Sequence, residues 1–385
     1  MKHNFFILLA LFVVNIGWAQ RFEYNGLIYE VTSENELINQ IYPTVKLGQQ
    51  IFYNTSGIVV IPPTVEYGGH VYNVTEIGDN AFQGCPGLKF VDIPSSVIHI
   101  GDYAFSNCKT LTSINIPNSV KSIGKSVFLN SNQLNSIKLP CLNFYDTDLY
   151  ITTNGIRYIV INNKEVGVAY NPNGYSGHLV IPRTITVGDT FLVTSIVADA
   201  FYDGSNIVSI TIPNSITSVT KDVFINCGEL TTVTLPEELD VSYAGLEFTK
   251  DSIVYSVKNG KEVYIQHWDK KPTPNIVIPT SVTSGNSFQI TGLDFNGFTY
   301  ESYYYDFNEN VTSVTIPANI TYIGPGTFLE CRNLINVTCL SNIPPKAFSN
   351  SFDNYNGYLH IPCNNMEAYD VHTCWGSFKH VKCIE

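Results

Sequence analysis

Apolar side chains return along this chain with a period of 23 residues. Between Ile77 and Pro140 the pattern Ile-Gly-x-x-Ala-Phe-x-x-Cys-x-x-Leu-x-x-Val-x-Ile-Pro is written three times with small substitutions. Ile77, Ile100 and Ile123 stand 23 apart, as do Phe82, Phe105 and Phe128, and Pro94, Pro117 and Pro140. In the copy Leu111-Thr112-Ser113-Ile114-Asn115-Ile116-Pro117, alternation sends Leu111, Ile114 and Ile116 inward and Ser113 and Asn115 outward, as in a strand. Pro117 lacks a backbone donor and ends that strand. Gly124 is expected to permit a tight turn after Ile123, with Val127 and Phe128 covering the other side of the coil. A unit this short cannot bury its apolar face alone, so a fixed period of roughly 20–29 residues predicts a solenoid of stacked turns.

The pattern is interrupted and resumed. Phe22–Val31, with Asn25-Gly26 at its centre, reads as a β-hairpin; it leads through Gly57–Pro62 and Gly69–Thr75 into the first regular copy. The same introduction recurs from Asn154 through Gly177–Pro182 and Gly188–Thr194 to Ile196, where two more copies carry Phe201 and Phe224 and end at Pro213 and Pro236. A third runs from Asp251 through Ile276–Pro279 to Ser287–Thr291. Three superrepeats follow, 20–140, 141–236 and 237–385. Counting back from Pro317 puts Val311, Tyr305 and Tyr300 in the Leu, Phe and Ile slots, so the aromatic cluster Phe298–Phe307 reads as a degenerate copy. At the C-terminus a short helix is expected around Asn365–His372. Phe378, Val381 and Cys383 repeat the strand slots, making a terminal cap over about 340–385.

The fold class predicted is therefore a β-rich solenoid: a leucine-rich repeat superhelix of about 23-residue repeats with inserted β-hairpins. Its parallel sheet would form the concave face, and a C-terminal cap with a short helix would close it. The outward strand slots of that sheet are Phe90 and Asp92, Ser113 and Asn115, Ser136 and Lys138, Ser209 and Thr211, Thr232 and Thr234, and Ser313 and Thr315. A surface rich in hydroxyls can hydrogen-bond proteins or glycans, or simply solvate the sheet.

Composition narrows the compartment and the partners. Of 385 residues 44% are hydrophobic and only 14% charged, below the usual quarter. A net charge of −12 argues against nucleic acid, and no polybasic membrane patch is present. Lys2 and His3 precede an apolar run, Phe5–Val14, and then Gly17-Trp18-Ala19, the layout of a signal peptide spanning 1–19 and cut after Ala19. No second apolar segment follows, so no membrane span is expected in the mature chain. Nine cysteines in an exported chain suggest disulfides. Cys85, Cys108, Cys227 and Cys331, however, each sit three residues after the repeat Phe, which points to a buried packing slot.

Motifs for catalysis are missing: there is no His-Glu-x-x-His, Gly-x-Ser-x-Gly, phosphate loop or Cys-x-x-Cys. Asp146 and Asp148 supply too few oxygens for a firm Ca²⁺ site. His360 with Cys363, His372 with Cys374 and His380 with Cys383 have spacing open to zinc, to a disulfide among Cys363, Cys374 and Cys141, or to ordinary packing. No cofactor and no metal is expected.

The repeats resemble the BspA-like leucine-rich repeat family of bacterial surface and secreted proteins. The likeness rests on Ile100-Gly101-x-x-Ala104-Phe105-x-x-Cys108-x-x-Leu111-x-x-Ile114-x-Ile116-Pro117-x-Ser119-Val120 and its copies. It extends to the hairpin introductions and to the Pro344-Pro345…Ile361-Pro362…Tyr369…Trp375 ending. The resemblance implies a non-enzymatic protein linked to adhesion and host-protein binding, with no catalytic residues to carry over. The expected function is an exported binding protein at the bacterial surface, secreted, surface-held or periplasmic, whose partner is a host or bacterial protein. The alternatives are a glycan-binding module using Tyr303, Phe307 and Trp375, and a structural envelope protein.

Overall fold

The structure, a computed structural model, describes residues 20–33, 43–49, 57–202, 204, 206–268, 273–294, 310–329 and 331–384. The leader expected in 1–19 and the aromatic cluster with Tyr300, Tyr303, Tyr305 and Phe307 lie outside the described residues. Contacts divide the chain into two compact units. One holds Met1–Ile151, Val160–Asn163 and Val187–Asp189; the other holds Thr152–Ile159, Lys164–Thr186 and Thr190–Glu385.

The chain is a β-solenoid. In the first unit the strands Gly57–Val60, Leu88–Asp92, Ser113–Asn115 and Ser136–Lys138 pair in parallel, each one turn beyond the last. A second parallel ladder, not anticipated from the pattern, joins the Ile slots: Ile77 pairs with Ile100 and Ile100 with Ile123. After each strand the Ile-Pro proline carbonyl accepts a bond from the amide three residues on, as Pro94 does from Val97 and Pro117 from Val120. The second unit repeats this scheme in Gly177–Val180, Ile207–Thr211 and Thr232–Thr234. It does so again in Asn275–Val277, Ser313–Ile316, Asn336–Cys339, Tyr358–Pro362 and His380–Ile384.

The core is a set of stacked side-chain ladders. Phe82, Phe105 and Phe128 are buried and lie nearly parallel, with ring centroids 5.4 and 5.8 Å apart. Phe201 and Phe224 repeat this at 5.0 Å, and Phe328 and Phe352 at 4.8 Å. Each ring is flanked by bends: Asn80 and Gly84, Tyr103 and Asn107, and Ser126 and Asn130 all take left-handed φ, two residues before and after the Phe. Cys85, Cys108, Cys227 and Cys331 are buried in one slot, and the slot is polar as well as small. Cys108 Sγ donates to the Phe82 carbonyl one turn back at 3.1 Å. Ser131, the serine in the next copy of that slot, donates to the Phe105 carbonyl at 2.7 Å.

Gly124 has a different reason from the expected turn. A Cβ there would stand 2.4 Å from Asp102 Oδ1 and 2.6 Å from the Asp102 amide nitrogen; at Gly101 the same clash arises with Asp79. Those aspartates accept backbone bonds from the following turn, Asp79 from Asp102 N at 2.8 Å and Asp102 from Lys125 N at 2.9 Å. The glycine therefore exists so that consecutive turns can touch.

The introductions are antiparallel. Arg21–Tyr24 pairs with Leu27–Ser33, which pairs with Thr44–Leu47. Within this sheet buried Glu30 is held by Arg21 and by Lys46 at 3.4 Å. The corresponding strands of the third introduction are Glu247–Lys250, Ile253–Val257 and Glu262–Trp268, followed by the hairpin Ser281–Ser284 and Asn286–Leu293. The hairpin tips close the edges of the parallel sheets. Gly188, at φ +88°, bridges to Ile137 after the strand Ser136–Lys138. Gly285, at φ +76°, bridges to Val233 after Thr232–Thr234, and Asn286 Nδ2 donates to the Leu235 carbonyl at 2.8 Å.

The cap contains the expected short helix, Met366–Asp370. Trp375 and Phe378 continue the aromatic ladder from Phe352, with ring centroids 5.4 and 5.3 Å away. Among the described residues no helix is long and apolar enough to cross a membrane.

Burying one repeat phenylalanine stabilises the stack by roughly 1.5–3 kcal/mol. Phe105→Ala leaves a cavity between two rings and should cost about 3–5 kcal/mol. Gly124→Ala should cost about 1–3 kcal/mol through overpacking, whereas at Gly228 an added Cβ would meet nothing within 4 Å. Gly228→Ala should therefore lie within about 0.5 kcal/mol of wild type. Urea denaturation of the three variants checks this ordering.

Candidate functional site

Where inward slots are consumed by stacking, chemistry is left to the outward ones. In the first unit the register Ser136–Ser113, Lys138–Asn115 and Asp92–Asn115 lines these residues up in two rows across the strands. The strand Gly57–Val60 adds Ile58 opposite Phe90 and Val60 opposite Asp92. The rows run Ile58, Phe90, Ser113, Ser136 and Val60, Asp92, Asn115, Lys138.

The second unit carries the same two rows twice. His178, Ser209, Thr232 and Val180, Thr211, Thr234 form one set. Asn275, Ser313, Asn336, Tyr358, His380 and Val277, Thr315, Thr338, His360, Lys382 form the other. All twelve outward residues expected from the alternation are thus half-buried or exposed and stand on strand faces. Within each unit, register joins them into rows.

The pattern missed the first strand of each set, because those strands lie in the introductions rather than in regular copies. They bring the most apolar part of the surface: Ile58 is 69% exposed, Val60 62%, Val180 63% and Val277 73%. The shared Gly-x-x-Val-Ile-Pro or Asn-Ile-Val-Ile-Pro spelling was the signal available for them. Polar contacts tie neighbouring outward residues together: His178 Nδ1 lies 2.8 Å from Ser209 Oγ, and Ser313 Oγ donates to Asn275 Oδ1 at 2.7 Å. In the cap strands Lys382 Nζ sits 4.3 Å above the centre of the Tyr358 ring, and His380 packs on the same ring at 5.1 Å.

Several readings left open by the sequence are revised. Trp375 cannot be a sugar platform, since it is fully buried and its Nε1 donates to the Pro345 carbonyl at 2.8 Å. The disulfide open among Cys363, Cys374 and Cys141 is instead Cys363–Cys383. Parallel pairing of Ile361 with Cys383 brings the end of one strand beside the other, while Cys374 is buried and Cys141 remains a free exposed thiol. Cys383 keeps the inward register expected of it, paired with Ile361, but it is exposed and bonded to Cys363 rather than packed in a core. The His and Cys pairs of the cap do not gather either. His372 Nδ1 accepts from the Cys374 amide at 3.3 Å, and two of the three cysteines bond each other. Among the described residues no group of three or more His, Cys, Asp or Glu could hold a metal.

Buried thiols are chemically quiet. Burial pushes Cys108 up to about 12 and Cys227 up to about 11, each opposed only in part by a backbone hydrogen bond. At neutral pH neither supplies thiolate.

The chain matches the family described as BspA type leucine rich repeat region, in six copies over residues 45–169, 183–256 and 272–369. This protein belongs to the BspA-type leucine-rich repeat family. No curated protein sequence matches it. Among solved structures it is similar to a leucine rich cell surface protein from Faecalibacterium prausnitzii, with 16% identity, 96% of each chain covered and a TM-score of 0.30. It is also similar to a leucine-rich repeat protein from Bacteroides ovatus (22% identity, 94% of this chain and 100% of that chain, TM-score 0.32). A third is the pneumococcal vaccine antigen PcpA, at 13% identity, 95% and 99% coverage and a TM-score of 0.35.

Native treatment with iodoacetamide should label Cys141 and leave the buried cysteines intact. Adding reductant to the native protein should add Cys363 and Cys383. Peptide mass mapping reads both steps, and labelling of Cys383 without reductant would exclude the disulfide.

Proposed function

We propose that this chain is an exported, non-catalytic binding protein whose outward strand rows engage a protein ligand at a bacterial or host surface. The observation that carries this reading is the repeated outward face itself. Each parallel sheet opens with an exposed valine, Val60, Val180 or Val277, and continues into mainly polar side chains. Apolar anchors ringed by polar groups are the ordinary make-up of a protein-binding patch, and contiguous exposed apolar side chains mark interaction sites.

Export is supported by the leader read in the sequence and by the Cys363–Cys383 disulfide, which suits an oxidising compartment. The family's association with surface adhesion supports the choice of partner. Twelve residues define the surface: Phe90, Asp92, Ser113, Asn115, Ser136, Lys138, Ser209, Thr211, Thr232, Thr234, Ser313 and Thr315. We add Ile58, Val60, Val180 and Val277, which share the strand rows of these residues.

A variant carrying Ser113→Lys, Asn115→Lys, Ser209→Lys and Thr211→Lys should fold normally, since all four side chains reach solvent. Its binding to immobilised extracellular-matrix and cell-surface proteins should fall at least about tenfold. Circular dichroism controls for folding. Unchanged binding by the folded variant would exclude this face.

A further inference from the structure

The three parallel ladders do not end alike. The strands Ser136–Lys138 and Thr232–Thr234 are each met by a hairpin tip, at Gly188 and Gly285. The third ladder ends at His380–Ile384, and among the described residues no strand or hairpin tip pairs with its outer edge. Every residue of that strand is exposed or half-buried. Val381 stands in register with the buried Leu359, in a slot that a further turn would cover, yet it is 37% exposed. A strand edge with no paired strand among the described residues, beside an exposed apolar slot, is a template for one more strand.

The inward side of this edge opens into a groove of about 340 Å³ between the strand and the cap helix, lined by Met366, Tyr369, Trp375 and Val381. Glu367 and Asp370 stand along its helix side. The outward side of the same strand has the opposite sign. His380 and Lys382 face out beside Tyr358 and His360, with the Lys382 ammonium on the Tyr358 ring; Lys379 precedes them and is exposed. On a chain of net charge −12, Lys379 and Lys382 give this strand a local positive charge.

We propose that the His380–Ile384 edge is a β-augmentation site for an extended peptide in which apolar and acidic residues alternate. Main-chain bonds to the free edge supply the pairing, and alternate side chains supply selectivity. In an added strand every second side chain points inward, where the groove accepts an apolar group and Glu367 and Asp370 repel an acidic one. The others point outward beside Lys382, where a carboxylate is favoured. The same cations disfavour a second copy of this chain as occupant, because two such edges would set Lys379 and Lys382 against like charges. This site does not depend on the outward residues of the proposed protein-binding surface being a binding face.

The probe is a fluorescein-labelled nonapeptide alternating glutamate and valine. Its comparators are a lysine–valine peptide and a glutamate–valine peptide N-methylated on alternate amides. Anisotropy titration of the mature protein should show saturable binding of the first peptide only, weakening as salt is raised. Hydrogen exchange should show residues 380–384 becoming protected. Lys382→Glu, at an exposed position, should weaken binding by about fivefold or more, and Val381→Asp should abolish it. The variant carrying Ser209→Lys and Thr211→Lys should bind this peptide like wild type, which separates this site from the face proposed above. Equal binding of all three peptides, or no protection of residues 380–384, would overturn the proposal. So would sedimentation showing a wild-type dimer that Lys382→Glu converts to monomer.

Discussion

In the regular copies the phenylalanine of one turn lies flat on the phenylalanine of the turn before, and much of the molecule follows from keeping that contact. Successive turns must approach to about one strand spacing, near 4.8 Å, at several points of the loop at once. At the Phe slot the rings meet face to face. At the Ile-Gly slot the approach leaves no room for a Cβ above Asp79 or Asp102. At the Cys slot a small donor must reach the carbonyl one turn back, and cysteine and serine both do so. One geometric demand thus explains three residue types that look unrelated when read singly.

This demand divides the side chains by role. Inward slots are used up by stacking, which is why the thiols of Cys108 and Cys227 are buried and held in the protonated form. Outward slots are free of it. They vary from apolar at Val60, Val180 and Val277, through hydroxyls, to the cationic and aromatic group at Tyr358, His380 and Lys382. A stack also has to stop. Hairpin tips do this for two of the ladders, and Trp375 with Phe378 closes the aromatic column at the end of the third. Among the described residues no strand or hairpin tip pairs with the outer edge of that third ladder.

Much of this was legible in the residues. A 23-residue period with strand alternation identifies the turn, its inward slots and its outward slots, because a strand's two faces are distinguished by parity alone. The outward residues Ser113, Asn115, Ser209 and Thr211 stand where parity places them. The first strand of each ladder was harder to see: Gly57–Val60 and Asn275–Val277 lie outside regular copies, and only pairing with the next turn makes Val60 and Val277 part of the same rows. Trp375 shows the converse. Near the C-terminus it read as available for stacking on a sugar, and the Phe352 column had already claimed it.

By itself, the sequence determined the repeat, the ladder slots, the two sides of each strand and the family, because all of these depend on spacing along the chain. Tertiary structure alone decided how the ladders end. Which cysteine lies beside Cys363, whether Val381 is covered and which edges receive a hairpin tip depend on what stacks against the final turn. A slot rule derived from interior turns assumes a neighbour on both sides. At His380–Ile384 the described residues supply a neighbour on one side only, and the inward position Val381 is exposed there.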